Sequence, residues 1–168
     1  MTTFKLNQQA PDFTLPSVSG EEYSFSDVLK QKDDQWHLII FFRGSWCPAC
    51  MSELRELEES KGYFEKQQIH LTTITYDEKD NLEKMVQEQG FTFPVLNDEN
   101  SEFLKAYGVH YHDEQAPYED HGTHGEPAYF LTDEEGKVLY QQRQTSPFGR
   151  PHSKELRKII QYIKKNLK

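Results

Sequence analysis

Residues 37–57, HLIIFFRGSWCPACMSELREL, hold the only two cysteines of the chain, Cys47 and Cys50, with Trp46 immediately before them. They stand where an apolar run gives way to a charged, periodic one. A Cys-x-x-Cys pair at such a junction has three chemical readings: a redox dithiol, half of a zinc site, or two inert core thiols. Proline is favoured at the first helical position, because its missing N–H would have had no partner there. With Pro48 in that position, Cys47 is the N-cap and Cys50 lies in the first turn. The unpaired amides of Ala49 and Cys50 then point towards the Cys47 sulfur, and the helix dipole favours its thiolate. Such a setting lowers a thiol pKa from about 8.5 to roughly 3.5–7.5, and the thiolate is the attacking species. Residues three apart on a helix have Cα atoms roughly 5–6 Å apart, within reach of a disulfide. Cys47 is therefore expected to attack, and Cys50 to resolve the product as an intrachain disulfide. Inert core thiols would require Pro48 and the strand-to-helix junction to be coincidences.

The zinc reading rests on the segment HYHDEQAPYEDHGTH, which carries His110, His112, His121 and His124, four of the seven histidines. With the two cysteines they offer a Cys₂His₂ donor set. A structural zinc site usually organises loops in a small domain, whereas this pair opens a long helix beside a buried strand. The histidine segment reads more simply as a solvated, acidic loop. No metal and no cofactor are assigned.

The elements that must position the pair follow from periodicity. APDFTLPSVSGEEYSFSD alternates short β-prone pieces around Ser19-Gly20, an N-terminal β-hairpin. HLIIFFR is continuously apolar, as in a strand buried on both faces. Met51, Leu54, Leu57 and Phe64, among glutamates, predict one amphipathic helix after Pro48. IHLTTITY is a second strand, and KDNLEKMVQEQG a helix ended by Gly90; FPVL is too short to assign. SEFLKAYG is a short helix closed by Gly108. PAYFLTDEEGKVLYQQR is two strands around Glu135-Gly136. Leu156, Ile159, Ile160, Ile163 and Leu167 mark a last helix with one apolar stripe. A β-α-β start and β-β-α finish describe an α/β fold, a central mixed β-sheet flanked by helices, in a single domain over residues 1–168.

Composition bounds the partners. A formal net charge of −9 among 168 residues argues against nucleic acid or an anionic membrane surface. MTTFKLNQQAPDF has neither the basic start nor the apolar core of a signal peptide, and no run approaches a membrane span, so a cytoplasmic protein is expected. In a reducing compartment a lone cysteine pair is more often catalytic or metal-binding than a permanent staple.

The order APDFTLPS, FFRGSWCPAC, EPAYFLTDEEGKVLY and a closing helix resembles the thioredoxin-fold proteins. Within them it is most similar to the peroxiredoxin-like branch of the alkyl hydroperoxide reductase/thiol-specific antioxidant (AhpC/TSA) family, over residues 5 to 165. The resemblance implies a thioredoxin-like three-layer sandwich with the dithiol at the N-terminus of the first major helix. It also implies a cis-proline at Pro127 facing the pair, where the alternative is a plain strand-initiating proline. Peroxiredoxins carry P-x-x-x-T-x-x-C; aligned on FF, that Pro falls on Arg43, the Thr on Cys47 and the peroxidatic Cys on Cys50. Their active-site Arg before the Phe-containing strand falls on Pro127. SPFGRPHSKELRKII is similar to the segment that brings a second Arg to the site, matched by Arg150; Arg150 reads equally as a cation opening a helix. Arg43 is either a cation holding the thiolate or an ion-pair partner. The resemblance implies a thiol oxidoreductase. Disulfide exchange is the first reading, with Pro127 shaping the surface for a disulfide-bearing protein. The alternative is a thiol peroxidase acting on a hydroperoxide. Either needs a thiol reductant such as a thioredoxin or a low-molecular-weight thiol. A metal-binding module using the histidine loop is the third.

Overall fold

The computed structural model describes residues 4–168. The N-terminal hairpin pairs β1 (Thr14–Pro16) with β2 (Glu22–Ser24), antiparallel, Thr14 opposite Ser24. The Ser24 side chain then caps α1 (Phe25–Gln31) by accepting from the Asp27 amide, a common way to satisfy a helix-start donor.

Every residue of β3 (Trp36–Phe41) is buried, as its unbroken apolar run requires. Leu38, Ile40 and the following Phe42 join one core cluster, Ile39 and Phe41 the other. This is the two-residue period of a strand covered on both faces. Chain order continues through α2 (Pro48–Glu59), α3 (Lys61–Lys66), β4 (Ile69–Thr75), α4 (Lys79–Gln89), β5 (Val95–Asn97) and α5 (Glu102–Ala106). A two-residue ribbon follows, β6 (Tyr111–His112) against β7 (His124–Gly125), then β8 (Ala128–Thr132), β9 (Val138–Arg143) and α6 (Ser153–Lys165). The main sheet has the order β5-β4-β3-β8-β9. β3, β4 and β5 run parallel, and β8 and β9 are antiparallel to their neighbours. One face carries residues of α2, α4 and α6, the other Phe25, Phe103 and Tyr107 of the opposite layer. The result is the three-layer α/β sandwich with a mixed sheet that the pattern implied. No helix among the described residues is long and apolar enough to cross a membrane.

Two expectations needed correction, and one unassigned segment found its place. The helix after Pro48 is two helices, broken at Ser60, whose hydroxyl is held by Ser153 at 2.7 Å and by Arg157 at 2.8 Å. Gly62, just beyond, weakens helix continuity further. FPVL does supply a strand, β5, which extends the sheet by parallel pairing of Val95 with Thr73. The stripe of the last helix ends at Ile163: Leu167 lies beyond α6 and is 56% exposed.

Candidate active site

Cys47 is the N-cap of α2 in extended conformation, with Pro48 in the first turn. Its sulfur accepts the Cys50 amide at 3.2 Å. Gly44 immediately upstream is what lets the turn close: a Cβ there would stand 2.3 Å from the Trp46 indole nitrogen. Ser45 is tied down by Asp77 beyond β4, which accepts its amide at 2.8 Å. Loop and helix start are thus fixed from both sides.

Both cysteines are free and essentially without exposure, 0% for Cys47 and 1% for Cys50. Their environments differ in sign. The Cys47 thiol is held down to about 5 from an ordinary 9.0. The hydrogen bond from the Cys50 thiol is the main cause, with the Cys50 amide, Arg150 and Arg43 assisting against burial. Cys50 is pushed well above its ordinary value, by burial first and by the hydrogen bond its thiol donates to Cys47 next, with Arg150 pulling the other way. The geometry therefore describes one thiolate, Cys47, beside one protonated thiol, Cys50, which is what nucleophilic attack followed by resolution requires.

Two guanidinium groups approach the pair. Arg150, the residue before Pro151 at the entry to α6, donates to Cys50 Sγ at 3.1 Å and lies 3.9 Å from Cys47 Sγ. It also meets Glu53 at 3.4 Å, and Glu53 accepts from the Tyr129 hydroxyl at 2.8 Å. Burial raises the Glu53 carboxyl above its ordinary range, with Arg150 pulling the other way. Arg43 reaches Cys47 Sγ at 3.7 Å and stands 4.9 Å from the Trp46 ring centre. Trp46 itself stacks on His121 at 4.4 Å. Sequence and structure thus bring Arg43, Trp46, Pro48, Cys47, Cys50 and Arg150 into one neighbourhood.

Pro127 is buried and, with Cys50, Glu53, Tyr129 and Arg150, lines a small void of about 10 Å³. The Glu126–Pro127 bond is trans, contrary to the cis-proline the resemblance implied; no cis peptide is present among the described residues. The reason is local. The β6–β7 ribbon runs straight into β8, with the Glu126 amide bonded to the His110 carbonyl and the Pro127 carbonyl to the Gln144 amide. An extended trans chain satisfies both.

The histidine segment is the exposed, acidic loop expected over residues 113–123 and departs from that only at its end. It is closed by the β6–β7 ribbon, and His124 is buried at 2% exposure. His124 Nε2 lies 3.0 Å from Arg43 Nη2 and 2.6 Å from Glu126 Oε1. His112 pairs with Asp120 at 2.6 Å and its ring stacks on His124. His121 lies against Trp46 instead. The side chains are occupied with one another, and no group of three or more His, Cys, Asp and Glu among the described residues is arranged to hold a metal ion. Glu53, Tyr129 and Glu126 are site residues that sequence reasoning missed, and His124 was read only as a candidate metal ligand or loop residue. The segment EPAYF, with a polar residue just ahead of a wholly buried strand, was the available hint for Glu126.

A dithiol opening the helix that follows the central strand, on a five-stranded mixed sheet between helical layers, defines a thioredoxin-like protein. The family model for the AhpC/TSA family matches residues 6–141. The chain belongs to that family. It is 30% identical over 138 residues to the thiol-disulfide oxidoreductase ResA of Geobacillus thermodenitrificans, covering 82% of this chain and 68% of that one. It is 27% identical over 152 residues to a Mycobacterium tuberculosis protein named as a peroxiredoxin, covering 90% and 92%. The crystal structure of peroxidoxin BcpB from Mycobacterium tuberculosis shares the fold with a TM-score of 0.77 at 18% identity, covering 98% of this chain and 99% of that one. A PrxQ structure from Xylella fastidiosa gives 0.78 at 18% identity, covering 98% of each chain.

Proposed function

We propose that this thiol-based oxidoreductase works by thiol–disulfide exchange, with Cys47 as nucleophile and Cys50 as resolving thiol. The observation that carries the reading is the asymmetry of the pair: Cys47 accepts the Cys50 amide at 3.2 Å and is held at about 5, while Cys50 is held protonated. Cys47 attacks one sulfur of a substrate disulfide, and the other leaves as a thiolate that takes up a proton. Cys50, on losing its proton, then attacks Cys47 Sγ, releasing the second substrate thiol and closing Cys47–Cys50. A thioredoxin or a low-molecular-weight thiol restores the dithiol. The exposed Pro48 and Ala49 and the Trp46 ring form the rim on which a disulfide-bearing substrate docks. The −9 charge disfavours nucleic acid and anionic membranes as partners. A reducing compartment such as the cytoplasm suits a pair that must return to the dithiol.

A second reading, thiol peroxidase, is favoured by the two guanidinium groups at 3.7 and 3.9 Å from Cys47 Sγ. Preorganised cations are what O–O cleavage needs. The Thr of the peroxiredoxin pattern is absent, its place taken by Cys47. Stopped-flow oxidation by hydrogen peroxide, set beside insulin reduction by the same enzyme, separates the two. Disulfide exchange predicts ready insulin reduction and slow peroxide oxidation. A peroxide rate constant on the order of 10⁵ M⁻¹s⁻¹ or more, an ordinary enzyme efficiency, that collapses in Arg150→Lys and Arg43→Lys would make it a peroxidase.

A further inference from the structure

On the Cys47 side of the site, remote from Glu53, one ring nitrogen faces more groups than a neutral imidazole can serve. His124 Nδ1 sits 2.8 Å from the Gly122 carbonyl, so it carries a proton. His124 Nε2 then faces Arg43 Nε at 3.2 Å, Arg43 Nη2 at 3.0 Å and Glu126 Oε1 at 2.6 Å. Two bare acceptors, Nε2 and a carboxylate oxygen, do not approach this closely without a proton between them. Both residues are buried, at 2% and 1% exposure, and Glu126 Oε2 has no partner among the described residues. A bare carboxylate in that position would be costly.

We propose that His124 and Glu126 are positioning residues that share one proton and hold Arg43 against Cys47, so that the charge Cys47 meets depends on that proton. With it, Arg43, His124 and Glu126 together carry +1; without it they are neutral, as a unit of one cation and one anion. Arg43 Nη1, 3.7 Å from Cys47 Sγ, delivers the difference to the sulfur. The inference rests on Cys47 being the nucleophile. The other charged groups around the pair are few. His112 stacks on His124 from β6 and is bound to Asp120. Arg43 faces it from the loop after β3, and Glu126 meets Arg43 directly at 3.5 Å. His110 contacts Glu126 through its backbone carbonyl, and Trp46 stands edge-on to the His124 ring. Burial pushes the Glu126 carboxyl up, but the His124 bond and the Arg43 charge more than offset it, consistent with an ion held by its partners.

The test is the pH profile of Cys47 alkylation in the reduced full-length protein. The wild type should show two steps, the first near the thiol's own value of about 5 and a smaller one where the shared proton leaves. Glu126→Gln, whose amide donates to Nε2 permanently, should show the first step only. His124→Ala leaves Arg43 neutralised by Glu126 and should move the first step up by about one pH unit, roughly ten-fold less thiolate below it. In the wild type, the His124 ring nitrogens should report loss of a proton, by NMR, at the second step. Identical profiles in all three proteins, or no ring change at that step, would overturn this inference while leaving Cys47 as nucleophile. A wild-type Cys47 that reacts only near its ordinary 9.0, with Cys50 labelled first, would overturn the nucleophile assignment and this inference with it.

Discussion

Hydrogen bonding and neighbouring charge set two chemically identical side chains apart. Cys47 has the Cys50 thiol, a backbone amide and two cations to receive its negative charge, whereas Cys50 has one cation and donates to Cys47. Iodoacetamide at a pH of about 6–7 should therefore modify Cys47 far faster than Cys50, and Cys50→Ser should accumulate a mixed disulfide through Cys47. Trapping through Cys50 in Cys47→Ser instead would assign the nucleophile to the other position. The same asymmetry links to stability. A folded-state value of about 5 against an ordinary 9.0 means the unfolded chain binds more protons between those limits. Stability of the reduced protein contributed by Cys47 is thus present above 9.0, and is lost as pH falls through about 5. Urea unfolding of reduced wild type and Cys47→Ser across that window should show a slope in the first that is missing in the second. Arg150 has its own energetic weight. Arg150→Ala leaves the Glu53 carboxylate buried without its cation, and an unfolding penalty of about 3–5 kcal/mol is expected, relieved in part by Glu53→Gln in the same chain.

Elements, rather than residues, decide what the site can tolerate. The turn into α2 closes only because Gly44 has no side chain to meet Trp46. Gly44→Ala should push Trp46 off His121 and change its fluorescence while α2 itself persists; an unchanged Trp46 signal would show that the turn has slack. In the sheet, β3 and β4 place His37 directly opposite His70. Burial lowers both to about 4 from 6.5, with Lys32 adding to it for both and the charge of His37 for His70. Both are held neutral by the fold, so their share of stability is complete above 6.5 and is lost as pH falls towards about 4. His70→Phe should flatten the acid limb of the pH–stability curve, measured by denaturant midpoints; a limb that stays as steep would place the acid lability elsewhere.

At the scale of the molecule, the sheet separates two cores, and the dithiol belongs to only one of them. Cys47 and Cys50 pack with Leu38, Ile40, Leu54 and Leu156, while Phe25, Phe103 and Tyr107 fill the other face. Closing a disulfide within one helical turn therefore disturbs one layer and leaves the hairpin side untouched. Mild oxidation with diamide should consume both thiols without producing a covalent dimer. A thiol count that stays at two would sink the redox reading outright.

Much of this was legible along the chain because it is local. Pro48 at a helix start, Cys47 one residue before it and Cys50 one turn on are a matter of adjacent peptide groups, and no distant contact is needed to place them. The buried strand before them and the hairpin at Ser19-Gly20 likewise announce themselves through side-chain alternation and turn chemistry over a few residues. Arg150 was marked by the family pattern and Arg43 as a departure from it, but their contacts with Glu53 and His124 were not. The contact between Arg150 and Cys50 spans 100 residues and that between Arg43 and His124 spans 81. Residues so far apart meet only through strand order and register, which arise from the packing of the whole sheet. The same holds for β5, too short to declare itself until β4 offered a parallel edge, and for Pro127, whose trans bond follows from the ribbon that leads into β8. Tertiary structure alone buried His124, at the end of a polar and mostly exposed histidine loop, and set it against Arg43.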